Sequence, residues 1–169
     1  ANNASGEYYL TDIIGIMRAA GRRAVAVAGL EVEMLGVNSR AHLAEAEAVF
    51  QRRARDAAMA DGATLIDPAT VWFSHDTVIG RDVLIEPNVF FGPGVKIGND
   101  VIIHANSHLT GAIVDDGAEL GPYARLRPGA HIGKNAKIGN FVEVKNATFE
   151  EGAKANHLAY IGDARVGTK

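Results

Sequence analysis

The sequence predicts a chain of mixed class: an α/β segment, then a long helix, then a parallel β-helix. Three observations lead to this prediction. Apolar residues follow helical and strand periods up to about residue 72. From Phe73 onward, an aliphatic or aromatic residue returns at every sixth position. The fourth residue after most of these positions is small or β-branched, and a six-residue pattern with two restricted positions is typical of stacked coils.

The segment before the repeat contains three predicted elements. A helix is predicted over residues 11–20, and a short strand over residues 24–29, where the sequence reads AVAVAG. A second helix is predicted over residues 40–60, because Ser39 is a suitable N-cap and an Asp-Gly pair follows the last turn. Its apolar side chains recur on one face, and its charged side chains are predicted to face solvent.

The register of the repeat is defined by its inward positions, with one residue skipped after Leu109 and another after Val144. The predicted inward residues are Phe73, Ile79, Ile85, Phe91, Ile97, Ile103, Leu109, Val114, Leu120, Leu126, Ile132, Ile138, Val144, Phe149, Ala155 and Ile161. The restricted fourth positions are Thr77, Val83, Val89, Val95, Val101, Ser107, Ala118, Ala124, Ala130, Ala136, Val142 and Thr148. Three sides of six residues close one coil, and successive coils stack at about 4.8 Å.

Composition excludes several classes of function. The chain has 169 residues, 47% of them hydrophobic, and a net charge of −3, which gives no electrostatic basis for binding nucleic acid. It contains no cysteine, so disulfides and thiolate metal sites are excluded and a cytoplasmic location is expected. The most apolar N-terminal run is interrupted by Arg18, Arg22 and Arg23, so no membrane-spanning segment is predicted.

Five motifs in a fixed order carry a resemblance to a known family. The motifs are GEYYLTDI at 6–13, GVNSR at 36–40, ARLRPGA at 124–130, GNFVEVKN at 139–146 and NHLAYIGDA at 156–164. With these motifs the chain resembles the bacterial bifunctional enzymes that join a glucosamine-1-phosphate acetyltransferase to an N-acetylglucosamine-1-phosphate uridyltransferase, and the resemblance covers essentially its whole length.

The resemblance implies a domain organisation. Residues 1–39 are expected to be the remnant of a uridyltransferase domain of nucleotidyltransferase type, and residues 40–62 a linker helix. Residues 63–169 are expected to form a left-handed β-helix acetyltransferase domain that is incomplete at its C-terminus. The chain is therefore expected to be an internal fragment that catalyses neither reaction well by itself.

The resemblance also implies two reactions and an assembly. Such an enzyme transfers acetyl from acetyl-CoA to glucosamine-1-phosphate. It then transfers uridylyl from UTP to N-acetylglucosamine-1-phosphate with Mg²⁺, and the product is UDP-N-acetylglucosamine. The expected assembly is a homotrimer with the acetyltransferase sites between subunits.

Four residues match the acetyltransferase site of the family. His157 is expected to be the catalytic base, since transfer to an amine requires removal of its proton and histidine titrates near neutral pH. Arg127, Lys145 and Tyr160 are expected to bind the sugar phosphate. Arg127 and Lys145 lie eighteen residues apart, and each follows an inward residue, so three-sided coils would place them one above the other.

Three residues match the uridyltransferase site of the family. Tyr9 and Thr11 are expected to line the sugar-nucleotide pocket. Asn38 is expected to bind the substrate and to be a magnesium ligand, since a hard cation accepts a side-chain carbonyl oxygen.

Two alternatives of different class remain open. In the first, the chain is part of a sugar nucleotidyltransferase whose β-helix is only a trimerisation module. In the second, the β-helix is a non-catalytic stalk, because a six-residue repeat by itself predicts a scaffold and not an activity.

Overall fold

The computed structural model describes residues 6–168 and divides into two units after Asn38. The first unit contains helix α1 (Asp12–Ala19) and a 3₁₀ turn at Glu31–Glu33. Helix α1 confirms the first predicted helix to within a residue at each end. The unit boundary lies one residue from the predicted domain end, and the assignment of this segment to a uridyltransferase domain stays a prediction.

The predicted strand over residues 24–29 is wrong. This stretch has no regular secondary structure, and Val25 and Val27 are 80% and 90% exposed. A strand needs a neighbouring strand to satisfy its backbone N–H and C=O groups, and residues 6–38 contain none. Alternating valines alone therefore do not produce a strand here.

Helix α2 spans Arg40–Ala60, as predicted, with Ser39 as its N-cap. Ser39 Oγ accepts a hydrogen bond from the His42 backbone N–H at 3.1 Å, which satisfies one of the free donors of the first turn. Within the second unit, Ala54 and Ala58 pack against the core of the coils. The helix is therefore part of the same compact body as the β-helix.

The rest of the chain forms short parallel strands joined by corners. The strands are β1 (Thr64–Leu65), β2 (Val78–Ile79), β3 (Leu84–Ile85), β4 (Phe90–Phe91), β5 (Lys96–Ile97), β6 (Ile102–Ile103), β7 (His108–Leu109), β8 (Ile113–Val114), β9 (Glu119–Leu120), β10 (Arg125–Leu126), β11 (His131–Ile132), β12 (Lys137–Lys145), β13 (Thr148–Phe149), β14 (Lys154–Gly162) and β15 (Arg165–Val166). A 3₁₀ turn at Pro68–Thr70 follows β1.

The strands stack in three columns, one for each side of the coil. One side has the order β1-β3-β6-β9-β12, the second β4-β7-β10-β12, and the third β2-β5-β8-β11-β13-β15. Strand β12 pairs with β9 near its start and with β10 near its end, so it passes through a corner and belongs to two sides. Strand β14 pairs with β12 along its length. This is the predicted parallel β-helix.

The interior confirms the predicted inward positions. These side chains are buried, apart from Ile79 and Ile161, which are partly exposed because their strands, β2 and β14, have a neighbouring coil on one side only. One predicted fourth position is wrong. Ala147 is buried and Thr148 is exposed. The residue skipped after Val144 shortens this side of the coil, so the small buried position comes one residue earlier in the chain.

Within residues 6–168, no helix combines the length and the apolar character that crossing a membrane requires.

Candidate functional site

Arg127 and Lys145 lie one above the other on the side formed by β7, β10 and β12. Strand β10 pairs with β12 in the register Leu126↔Val144, and the Arg127 backbone N–H donates to the Val144 carbonyl at 2.8 Å. The residues that follow Leu126 and Val144 are therefore neighbours in adjacent coils, which confirms the predicted stacking. Both side chains are partly exposed, so both cations are accessible from solvent.

Glu143 joins the cations of this side. Arg127 Nη1 donates to Glu143 Oε1 at 2.8 Å, and Arg125 Nη1 lies 3.7 Å from Glu143 Oε2. Within residues 6–168, the ammonium of Lys145 makes no ion pair. Three cations and one carboxylate leave a patch with net positive charge, and such a patch attracts a phosphate group.

Tyr160 lies in the next coil. Strand β14 pairs with β12 in the registers Glu143↔Tyr160 and Lys145↔Gly162. The Tyr160 side chain lies over Gly162, where the methyl group of an alanine would collide with the phenol oxygen. The phenol oxygen therefore lies beside Gly162, the residue that pairs with Lys145, and Tyr160 is 61% exposed. The structure brings Arg127, Lys145 and Tyr160 together as one vertical set.

His157 lies on the same strand as Tyr160, three residues before it, and its side chain is exposed. Its backbone pairs with Asn140 of the coil below. Gly139 permits this close stacking, because an alanine Cβ there would overlap the carbonyl oxygen of Asn156. Within the described residues, no hydrogen bond or ion pair fixes the imidazole of His157. The imidazole is thus free to meet a ligand.

An apolar ladder of Tyr123, Phe141 and Leu158 runs along the corner beside His157. The three residues have φ angles of 57°, 55° and 51°, and they are 49%, 53% and 75% exposed. The rings of Tyr123 and Phe141 stack with centroids 4.9 Å apart. Among the described non-glycine residues with positive φ, the others are the short polar types that tolerate this conformation: Asp82, Asn88, Asp100, Asn106, Asn135, Asn146 and Asp163.

Sequence reasoning missed Glu143 and the apolar ladder. Glu143 lies eighteen residues after Arg125, and the count that stacked Arg127 on Lys145 also places this acid in the coil beside Arg125. The ladder has a weaker signal in the sequence. Asn88 and Asn106 precede Tyr123 at the same corner, so the change from asparagine to an aromatic residue marks its first member.

The residues predicted for the uridyltransferase site lie in the first unit and are exposed. The Tyr9 carbonyl accepts the Asp12 backbone N–H at 3.0 Å, and Thr11 is the N-cap of α1 without a side-chain capping bond. Among residues 6–168, no cluster of three or more His, Asp or Glu side chains could hold a metal ion. Asn38 alone does not make a magnesium site, and the roles of all three residues stay predictions.

A family model described as bacterial transferase hexapeptide, with six repeats, matches residues 76–111 and residues 111–146. The two matches span the coils from β2 to β12. They agree with the stacked strands of the structure and confirm the predicted left-handed parallel β-helix.

Curated relatives are similar over almost the whole chain. The bifunctional protein GlmU of Zymomonas mobilis is 58% identical over 166 residues, and that of Paramagnetospirillum magneticum is 62% identical over 165 residues. Each match covers 98% of this chain and 37% of the relative. The chain therefore spans little more than a third of the length of these relatives.

Solved structures share the fold at lower sequence identity. The acetyltransferase domain of PglB from Neisseria gonorrhoeae, in complex with acetyl coenzyme A, has a TM-score of 0.54 and 17% identity, and the match covers 69% of this chain and 61% of that one. A variant of GDP-perosamine N-acetyl transferase from Caulobacter crescentus, in complex with CoA and GDP-perosamine, has a TM-score of 0.53 and 18% identity, with 89% and 84% covered. These likenesses show the fold.

Proposed function

The chain belongs to the family of the bifunctional GlmU proteins, and on that premise we propose that its coils carry the sugar-phosphate side of an acetyl-transfer site. The observation that carries the proposal is the vertical set of Arg127, Lys145 and Tyr160, with His157 on the same strand as Tyr160 and across the corner at Leu158. The proposed substrates are glucosamine-1-phosphate and acetyl-CoA. Two structural neighbours were solved with acetyl coenzyme A or CoA, which supports the choice of acyl donor.

The proposed role of the vertical set is to bind the phosphate group. A guanidinium offers paired N–H donors and an ammonium adds a second positive charge, and both form strong charge-assisted hydrogen bonds with phosphate oxygens. The Tyr160 hydroxyl supplies a neutral donor in the next coil. Arg127 also binds Glu143 at 2.8 Å, so an arriving phosphate must share this guanidinium with the carboxylate.

The proposed role of His157 is to accept a proton from the substrate amine. The amine nitrogen attacks the thioester carbonyl carbon, the carbon–sulfur bond breaks, and the CoA sulfur leaves as a thiolate that takes up a proton to become the thiol. Only a neutral amine has the lone pair for this attack, so a base must hold the proton as the carbon–nitrogen bond forms. An exposed imidazole without an internal partner is suited to that task.

We propose further that the whole protein transfers uridylyl from UTP to N-acetylglucosamine-1-phosphate, because its relatives are named as bifunctional proteins. In that reaction Tyr9 and Thr11 would contact the sugar nucleotide, and Asn38 would supply one oxygen ligand to magnesium. The described residues provide too few ligands to complete a metal site. We also propose a homotrimer that acts in the cytoplasm, where both acetyl-CoA and UTP occur.

The first test compares His157→Ala with the native full-length protein, by thiol release from acetyl-CoA in the presence of glucosamine-1-phosphate. We expect the rate to fall about 100-fold or more, the usual contribution of a positioned general base. The matched control is His75→Ala, since His75 is another exposed histidine, on the first coil. An unchanged rate in His157→Ala would refute the role of the base.

The second test addresses the phosphate. We expect Lys145→Gln and Arg127→Gln each to raise KM for glucosamine-1-phosphate about 10-fold or more, because each removes a charge-assisted hydrogen bond. Glucosamine without its phosphate is the matched substrate, and its weak use should be the same in the variants and the native protein. If no acetyl transfer occurs with the native protein, the β-helix is a trimerisation module or a stalk instead.

A further inference from the structure

The first coil has a strand edge that no other coil covers. The Trp72 N–H donates to the Val89 carbonyl at 3.0 Å, and the Trp72 carbonyl accepts the Phe91 N–H at 2.8 Å, so Trp72 bonds to the coil above. Backbone groups of successive residues in a strand point to opposite sides. The N–H and C=O of Phe73 and the C=O of Val71 therefore point the other way, where the described chain has no coil.

Helix α2 supplies a substitute for the missing strand through Gln51. Gln51 Oε1 accepts the Phe73 backbone N–H at 2.9 Å, and Gln51 Nε2 donates to the Phe73 carbonyl at 2.6 Å. This pair of bonds is what the peptide groups of a neighbouring strand would make. Gln51 Nε2 also donates to Glu47 Oε1 at 2.9 Å, so both of its N–H groups have acceptors and the orientation of the amide is determined.

Arg55 extends the same contact. Its Nε donates to the Val71 carbonyl at 2.8 Å. Gln51 and Arg55 are four residues apart and lie on the same face of α2. Together they satisfy all three backbone groups that Val71 and Phe73 direct away from the coils.

We propose that α2 is an edge plug: Gln51 and Arg55 occupy the open strand edge of the first coil and so keep a strand of another copy of this chain from pairing there. Gln51 is only 1% exposed, and burial of an amide is unfavourable unless its hydrogen bonds are satisfied. A helix that merely packed on the coil would need an apolar residue at this position. The backbone N–H and C=O of Phe73, which Gln51 covers, explain why a polar residue stands here.

The shape of the edge indicates which strand α2 excludes. The strands of this coil are short, parallel and stacked in register with the next coil. Another copy of this chain carries strands of the same length and twist, so its coils fit the uncovered edge better than an unrelated strand does. Unprotected edges of this kind are the usual starting point of strand-to-strand aggregation.

The first experiment measures amide hydrogen exchange by NMR in the complete chain, with Gln51→Leu. We expect the Phe73 amide to exchange about 10-fold faster or more, because it loses its acceptor, while the Trp72 amide, bonded to the coil above, keeps its rate. Arg52→Leu is the matched control, since Arg52 is an exposed neighbour on the same helix. An unchanged rate at Phe73 would overturn the proposal.

The second measurement is sedimentation velocity over a range of concentrations. Gln51→Leu is expected to form species larger than the native assembly, in proportions that grow with concentration, whereas Arg52→Leu is expected to match the native protein. Gln51→Leu could instead have faster exchange at Phe73 and the same mass distribution as the native protein. In that case α2 bonds to the backbone groups of the edge but does not prevent another copy from pairing there. That outcome overturns the plug.

A second variant keeps the proposal testable if Gln51→Leu fails to fold. In Gln51→Glu, a carboxylate still accepts the Phe73 N–H but places a second oxygen against the Phe73 carbonyl. Protonation turns that oxygen into a donor. We expect weaker protection of Phe73 than in the native protein at neutral pH, and a return toward native protection on acidification. Protection that is equal to the native value at every pH contradicts the proposed geometry.

Discussion

Residues 6–38 and the coils of residues 63–168 both contain many aliphatic and aromatic side chains, but only the coils bury them. None of residues 6–38 is buried, although they include Tyr8, Leu10, Val25 and Met34. In the coils, most inward positions are inaccessible to solvent. Hydrophobic composition therefore does not distinguish the two regions.

The two regions differ in the neighbouring structure that each can pair with and pack against. After β1, a coil presents its backbone groups and its inward side chain to an equivalent position of the next coil, eighteen or seventeen residues away. Burial and hydrogen bonding are thus satisfied by the same contact, repeated along the chain. Residues 6–38 have helix α1 and no paired strand, so their apolar side chains have no surface of their own to pack against.

The largest expected effect tests this contrast in burial. Leu126→Ala should lower the free energy of unfolding by about 2–5 kcal/mol, because it removes buried methyl groups and leaves a cavity between coils. Ile16→Ala, in α1, should change it by less than about 0.5 kcal/mol, since Ile16 is exposed. Chemical denaturation of both variants measures the difference. Equal losses would mean that residues 6–38 are packed, and the comparison would fail.

A smaller effect is expected from glycine-to-alanine changes, which should differ in sign between the regions. Gly139→Ala should destabilise the coils by about 1–3 kcal/mol, because its Cβ would overlap the Asn156 carbonyl oxygen. Gly15→Ala meets no atom within 4 Å and lies within α1, so it should favour that helix by about 1 kcal/mol. Denaturation monitors the first change, and the far-ultraviolet helix signal monitors the second.

The same two glycine variants are also expected to differ in activity. Gly139 lies beneath the part of β14 that carries His157, so Gly139→Ala should also reduce acetyl transfer by the full-length protein. Gly15→Ala should leave it unchanged. A stable, fully active Gly139→Ala protein would show that the close stacking at this level is not needed.

Local signals made part of this fold predictable from sequence. Ser39 and the helical pattern after it predicted α2 to the residue, because a cap and a periodic face act within a few turns. The six-residue pattern predicted the coils because it recurs along the chain, and each repeat is separate evidence for a coil. The strand over residues 24–29 failed for the complementary reason: strand formation depends on a partner elsewhere in the chain, and a local alternation of apolar residues does not supply one.

The part of the candidate site that depends only on residue spacing could be predicted from the sequence. The eighteen-residue spacing placed Arg127 above Lys145. Counting does not give side-chain directions, so neither the bond from Arg127 to Glu143 nor the position of the Tyr160 phenol over Gly162 could be predicted. The plug contact of Gln51 depends on how α2 meets the first coil, which no repeat encodes.

The coils also contain an ionisable network around His104. His104 Nδ1 lies 3.0 Å from Glu86 Oε1, and His104 Nε2 lies 3.1 Å from Glu119 Oε1. Lys137 Nζ donates to Glu119 Oε1 at 2.8 Å. Burial lowers the pKa of His104, but the hydrogen bonds to Glu86 and Glu119 outweigh it and leave the pKa raised. The bond from Lys137 lowers the pKa of Glu119, and the bond from His104 lowers that of Glu86.

These shifts predict the smallest of the expected effects, a pH dependence confined to the coils. A raised pKa for His104 means that its contribution to stability is complete below the unfolded value of about 6.5 and disappears as the pH rises through the folded value. The lowered carboxylate pKa values act in the opposite sense, and their contribution disappears as the pH falls below about 4.5. The network should therefore stabilise the coils most between these limits.

The variant His104→Gln isolates the histidine. The native protein should be more stable than the variant near pH 6, by at most about 1 kcal/mol because the network is partly exposed, and the difference should shrink as the pH rises toward 9. Denaturation at a series of pH values gives both curves, and the contributions of His108 and the other unchanged groups cancel in the difference. Residues 6–38 contain no histidine, so the helix signal of α1 should stay constant from pH 6 to 9. A difference that grows with pH would have the wrong sign, since only a lowered His104 pKa in the folded protein could produce it.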